Sequence, residues 1–148
     1  MIIEIDQSGK VEETGKNTSI AFVNGVKCSI FISGKEKRKL QRFFRSIGKR
    51  RMLIYHTFVI LIFLLVRDHV RKIDRIVIDT EYPGQNELLR RLLWEKIHAI
   101  HHDFEVSQIT FKRVGKSSPA HLLAWDVHTR KQPASLKVTA KDVQRGLS

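Results

Sequence analysis

Cysteine is almost absent from the sequence: Cys28 is the single example among 148 residues. No disulfide can therefore form within the chain, which is typical of proteins in a reducing compartment. The first residues, MIIEIDQSG, lack the basic start of a secretory signal peptide and carry two acids instead. These absences lead us to expect a cytoplasmic protein.

The sequence also has no apolar run of the length that usually crosses a bilayer. The densest run, MLIYHTFVILIFLLV at residues 52–66, has 15 residues, whereas a transmembrane helix needs roughly 20. We interpret it as a buried core helix. Two alternatives stay open: a membrane contact through this run, and burial of the run against a second subunit in a homodimer.

Acidic residues are also scarce relative to basic ones. Lys and Arg total 27 against 15 for Asp and Glu, which gives a net charge of +12. Such an excess favours a polyanionic partner, and we expect nucleic acid, either DNA or an RNA/DNA hybrid. The predicted phosphate contacts are on the first helix and the segment after it, and near the end of a later strand: Lys35, Lys37, Arg38, Lys39, Arg42, Arg45, Lys49, Arg50, Arg51, Lys112, Arg113 and Lys116.

Hydrophobic patterning predicts an α/β fold with the order β-β-β-α-β-α-β-α. Asn24-Gly25 predicts a hairpin closed by a two-residue turn. We expect a mixed five-stranded sheet, in which three antiparallel strands are followed by two that join in parallel through crossover helices. Residues 1–148 would form a single domain, with one short additional helix at about residues 139–148.

Two acids end strands that this topology makes neighbours. Asp6 closes the first strand, and Asp79 closes the fourth, in the stretch RIVIDTEYPG. Because ligands collect beyond the carboxyl ends of parallel strands, the two carboxylates should meet at one edge. Their mutual repulsion would be relieved by a hard cation such as Mg²⁺ or Mn²⁺. Glu81 lies on the same strand face as Asp79 and is a further candidate ligand.

The motifs resemble those of the ribonuclease H-like superfamily, which includes RNase H, Holliday-junction resolvases and integrases. IEIDQSG is similar to the first-strand motif, and VIDTEY resembles the fourth-strand motif with its Tyr three residues after the Asp. The element order matches over nearly the whole chain. The resemblance implies that Asp6 and Asp79 hold the catalytic metal.

The last helix departs from the usual pattern of that superfamily. A carboxylate normally occupies a slot near its start, but PAHLLAWD places His121 there, as some branches do. His121 would ligate the ion or orient the attacking water. Asp126 is a second choice for this position, and Glu36 is the candidate for the acid that the superfamily often places in its first long helix.

These observations lead to one main expectation and two alternatives. The main expectation is a Mg²⁺- or Mn²⁺-dependent endonuclease that hydrolyses phosphodiester bonds in structured or hybrid nucleic acid, with Asp6, Asp79 and His121 at its centre. The first alternative is a nucleic-acid-binding or assembly module without catalysis on the same fold. The second is a membrane-associated protein that uses residues 52–66.

Overall fold

The computed structural model describes residues 1–147 as a mixed α/β fold with a six-stranded sheet and five α-helices. The strands are β1 (Ile2–Ser8), β2 (Thr18–Val23), β3 (Lys27–Ile32), β4 (Arg75–Asp79), β5 (Ile109–Lys112) and β6 (Leu136–Val138). The helices are α1 (Gly34–Ser46), α2 (Met52–Val66), α3 (Asn86–Ile100), α4 (Pro119–His128) and α5 (Ala140–Gly146), and short 3-10 turns occupy Val70–Lys72 and Val106–Gln108.

The sheet has the strand order β5-β4-β1-β2-β3-β6. Strands β1, β2 and β3 pair antiparallel in sequence, whereas β4 joins β1, β5 joins β4 and β6 joins β3 in parallel. The α/β class is confirmed. The first three strands pair antiparallel, and a short helix, α5, lies near the carboxyl end. The count of five strands was wrong because β6 has only three residues and is mostly exposed, which is too short for an alternating pattern to reveal.

The predicted hairpin connects β2 to β3, but its turn differs from the prediction. Val23 pairs with Lys27, so three residues, Asn24 to Val26, form the connection. Gly25 has a φ of 68°, whereas a two-residue type I′ turn requires positive φ at two consecutive positions. The Asn-Gly pair therefore predicted the hairpin correctly and the loop length wrongly by one residue.

The apolar run is helix α2, and the chain's own core covers it. Nine of its 15 residues are buried, and all of these except Thr57 join the core formed with β1, β4 and α3. Within residues 1–147, no helix combines the length and the apolar character that crossing a membrane requires. Contacts within the chain therefore account for the burial of most of this run.

Helix α4 lies on the opposite face of the sheet from α2 and α3. Leu123, Ala124 and Val127 pack on Ala21 of β2 in a smaller core. The helix begins at Ser118, whose hydroxyl accepts the Ala120 N–H at 3.2 Å, and Pro119 occupies its first turn, as the sequence predicted. Along β1 and β4, every second side chain points into the large core. The residues between them, including Asp6 and Asp79, point to the face that carries α4.

Lys37 does not belong to the exposed basic face that the sequence predicted for α1. Its side chain is buried, and its ammonium donates to the carbonyls of Lys10 and Glu13 and to the Thr18 hydroxyl at 2.8–3.0 Å. These acceptors lie on the connection between β1 and β2 and at its end. The charge pattern of α1 did not reveal this role because the acceptors are mostly backbone groups far away in sequence.

The bonds of Lys37 lead to a prediction about stability. Lys37→Met keeps most of the apolar stem but leaves the buried Thr18 hydroxyl and two part-buried carbonyls without their donor, so we expect the free energy of unfolding to fall by about 2–3 kcal/mol. Urea denaturation followed by circular dichroism would measure this. Lys35→Met, at an exposed position of the same helix, is the matched control. Equal small effects of the two substitutions would contradict the assigned role.

Candidate metal centre

The parallel pairing of β1 with β4 positions two carboxylates side by side. Ile5 lies opposite Ile78 in the register, so the next residues along the two strands are Asp6 and Asp79. Because side chains alternate along a strand, both point away from the large core and towards α4. This is the convergence that the sequence predicted for the strand ends, although β1 itself continues to Ser8.

Glu81 joins these two acids. One carboxylate oxygen from each of Asp6, Asp79 and Glu81 can be chosen so that all three lie within 4.8 Å of one another. Asp6 is buried, and the other two are half-buried. Glu81 follows β4 by two residues and so returns to the same side as Asp79. We call these three residues the acidic cluster.

The electrostatics of the acidic cluster disfavour three negative charges. Burial raises the pKa of Glu81 to about 8, the Asp79 carboxylate adds to the rise and the Lys10 ammonium opposes it. Burial also raises the pKa of Asp6, against the lowering effect of its hydrogen bonds to Gln7 and His121. A cation among the oxygens would remove the repulsion, and three carboxylates are a donor set that suits Mg²⁺ or Mn²⁺. The residues present therefore fit a hard divalent ion.

Two hydrogen bonds from the backbone orient the cluster. The Gln7 N–H donates to Asp6 Oδ1 at 2.8 Å, and the Val114 N–H donates to Asp79 Oδ1 at 2.7 Å. Each aspartate thus has one oxygen fixed by an N–H, while a carboxylate oxygen retains a second lone pair for a metal. The contact of Val114 was not predicted, because its backbone N–H makes the bond and its side-chain type therefore gives no indication of it.

His121 contacts the cluster through Asp6. Its Nδ1 lies 2.7 Å from Asp6 Oδ2, and the histidine side chain is one-third exposed. Asp6 thereby occupies Nδ1 and leaves Nε2 as the ring atom that remains for a ligand or a proton. The structure therefore brings the predicted Asp6, Asp79 and His121 together, but it also brings in Glu81, which the sequence ranked below them.

Glu36 and Asp126 lie outside the acidic cluster. Glu36 accepts the Ala140 N–H at the start of α5 at 2.9 Å and pairs with Lys39 at 2.7 Å. This contact joins α1 to α5, an element that the sequence only partly revealed. Asp126 is five residues after His121, about 140° further round α4. Neither residue is among the acids that the structure brings into ligand distance.

The predicted phosphate-contacting residues other than Lys37 are exposed. The basic segment Lys49 to Arg51 directly precedes α2. The first turn of α2 contacts the segment after β4, where the rings of Tyr55 and Tyr82 lie 6.0 Å apart. This basic segment therefore lies at the same end of the sheet as Glu81. Near the other side of the cluster, Lys112 is paired in register with Asp79, and Arg113 follows it.

Comparisons of the chain with protein-family models, with curated proteins and with solved structures found no match. The interpretation of the acidic cluster therefore depends on its own geometry and chemistry.

The raised pKa of Glu81 predicts that this residue destabilises the metal-free fold at alkaline pH. A carboxyl group whose pKa is higher in the folded chain contributes stability below its ordinary pKa, and that contribution is lost as the pH rises through about 8. Glu81→Gln stays neutral, so at pH 8.5 in EDTA we expect its free energy of unfolding to exceed that of the wild type by about 1 kcal/mol. This is well below the free energy that the whole pKa shift would correspond to, because Glu81 is half-buried and solvent screens its charge.

The same substitution should weaken the stabilisation by Mn²⁺, because it removes one ligand. Urea denaturation at pH 5 and 8.5, with EDTA or with Mn²⁺, would measure both effects. Glu95→Gln, at an exposed position of α3, controls for a general change of charge. A Glu81→Gln protein that is no more stable at pH 8.5 than the wild type would contradict the electrostatic account.

Proposed function

We propose that the chain is a metal-dependent nuclease that hydrolyses phosphodiester bonds in structured or hybrid nucleic acid. The observation that carries this proposal is the acidic cluster of Asp6, Asp79 and Glu81, with ligand oxygens within 4.8 Å of one another. In a chain with a net charge of +12, a group of three acids in one place indicates a functional site. Binding of a cation that in turn binds phosphate accounts for both features.

We further propose that the fold is RNase H-like. Three antiparallel strands come first, the strand with Asp79 lies in parallel beside the strand with Asp6, and α4 brings His121 to the same edge. Strand β6 and helix α5 would be additions to that arrangement. The two helices between β3 and β4 would replace one long helix.

The acidic cluster would hold Mg²⁺ or Mn²⁺ through Asp6, Asp79 and Glu81. Such an ion polarises a phosphate oxygen and neutralises the charge that develops during hydrolysis. The protein fixes the ligands beforehand, because the N–H groups of Gln7 and Val114 orient two of the three carboxylates. The half-buried setting strengthens each of these interactions.

His121 would handle the proton in this reaction. With Asp6 bound to Nδ1, the neutral ring carries its proton there and has a free acceptor at Nε2. A water molecule that attacks phosphorus would give its proton to Nε2 as the new P–O bond forms and the bond to the leaving oxygen breaks. The leaving oxygen would take a proton from solvent. Asp6 would stabilise the imidazolium that results.

The basic segment Lys49 to Arg51 and the pair Lys112 and Arg113 would guide the phosphate backbone to this centre. They are exposed and lie at the same end of the sheet as the acidic cluster. Phosphate contacts of this kind position a nucleic acid without reading its sequence. Binding should therefore depend strongly on salt concentration.

A cleavage assay tests the proposal. Labelled single-stranded DNA, duplex DNA, RNA/DNA hybrid and four-way junction would be incubated with the protein and either Mg²⁺ or Mn²⁺. We expect cleavage of at least one substrate, a fall of roughly 10²–10³-fold for Asp79→Asn and a smaller fall of about 10–100-fold for His121→Gln.

Asp126→Asn is the matched control, because Asp126 is an acid on α4 outside the cluster, and this variant should cleave like the wild type. Tight, salt-sensitive binding of nucleic acid without cleavage by any preparation would instead support the binding module. Equal cleavage by the wild type and Asp79→Asn would point to a contaminating nuclease and would remove the support for this site.

A further inference from the structure

Helix α4 exposes two large apolar side chains close to His121 and the acidic cluster. Trp125 is 49% exposed and Leu122 is 52% exposed, although both lie on a helix whose other side is buried in the core. Trp125 is four residues after His121, so it lies on the same side of the helix, about one turn of 5.4 Å further along. An indole exposed this far, so close to His121, is poorly explained by packing within the chain.

His128 extends this surface towards the start of the connection between β1 and β2. The rings of Trp125 and His128 are stacked, 6.0 Å apart and inclined by 30°. A Cβ atom at Gly9 would lie 2.7 Å from the His128 ring, so the ring rests directly on the backbone of this glycine. Burial lowers the pKa of His128, and the ammonium groups of Lys37 and Lys16 lower it further, which keeps the ring neutral.

Cations flank this aromatic pair. Lys10 follows Gly9 and is exposed, and Lys16 lies near the end of the same connection and is also exposed. The Lys10 ammonium lies close enough to Glu81 to lower the pKa of that carboxyl. The Lys16 ammonium in turn lies close enough to lower the pKa of His128. A route therefore runs from the acidic cluster past Lys10 to the Trp125–His128 pair. Aromatic faces together with cations are the combination that binds single-stranded nucleic acid.

We propose that Trp125 and His128 form a platform on which one unpaired nucleobase stacks beside the phosphodiester held at the acidic cluster. The charge of the flanking lysines and the flat aromatic surface favour a nucleotide over a purely apolar partner. A base within a duplex is already stacked on both faces and would have to be unstacked to reach the platform. The preferred ligand is therefore a nucleic acid with a single-stranded nucleotide at this position.

This inference rests on the proposed function for the position of the phosphodiester, but its test needs no cleavage. Two fluorescein-labelled probes of equal length and charge would be used in EDTA: an eight-nucleotide oligo(dT) and an abasic oligomer with the same phosphates. Fluorescence anisotropy would give the affinity for each probe. We expect the wild type to bind oligo(dT) about tenfold more tightly than the abasic oligomer.

Trp125→Leu keeps an apolar side chain but removes the aromatic face. It should reduce the preference for oligo(dT) to less than twofold and leave the affinity for the abasic oligomer unchanged, whereas Trp125→Phe should keep part of the preference. Ile100→Ala, a similarly exposed apolar residue on α3, is the control and should behave like the wild type.

Three results would overturn the platform. The first is equal affinity of the wild type for the two probes, and the second is an unchanged preference in Trp125→Leu. The third is a dimer in analytical ultracentrifugation that Trp125→Leu dissociates, since the exposed surface would then be an interface between copies of the chain. Failure of the nuclease proposal has a different signature, which is absence of cleavage while the preference for oligo(dT) and its dependence on Trp125 persist.

Discussion

The parallel pairing of β1 with β4 brings carboxylates close together. Their mutual repulsion is the physical constraint on which the proposed site depends. The register leaves Asp6 and Asp79 no alternative to neighbouring positions, and the turn after β4 adds Glu81. Burial makes their charges more costly than they would be in water. A strongly basic chain could relieve this locally with a lysine inside the cluster, yet its one fully buried lysine, Lys37, is bound to backbone and hydroxyl oxygens elsewhere. Burial and the neighbouring Asp79 therefore favour the protonated form of Glu81, and a divalent cation among the oxygens would instead stabilise the ionised carboxylates.

Several elements around the cluster each position a different part of it. Backbone N–H groups from Gln7 and Val114 hold the aspartates, and α4 supplies His121 from the opposite side. The connection between β1 and β2 is fixed to α1 by Lys37, so the edge of the site next to Lys10 is held by a buried contact. The same helix that positions His121 presents Trp125 to solvent one turn away. Chemistry and recognition of the nucleic acid would thus share α4.

Much of this could be predicted from the sequence because its signals are local. The apolar run of α2, the hairpin at Asn24-Gly25 and the cap at Ser118-Pro119 depend on neighbouring residues. The convergence of Asp6 with Asp79 followed from strand order, and the expectation that His121 lies near them followed from the resemblance to the RNase H-like pattern, whereas its direct contact with Asp6 was not predicted. The errors concern distant contacts, one short strand and the length of the hairpin loop. Lys37 points inward towards carbonyls, Glu36 caps a helix 104 residues away, and β6 is too short to show a pattern.

Crystals soaked in Mn²⁺ and measured for anomalous scattering would test the central claim most directly. We expect a peak at the acidic cluster, about 2 Å from oxygens of Asp6, Asp79 and Glu81, and its disappearance from crystals of Asp79→Asn. A fully soaked wild-type crystal without a peak there, or with manganese bound only elsewhere on the surface, would contradict it.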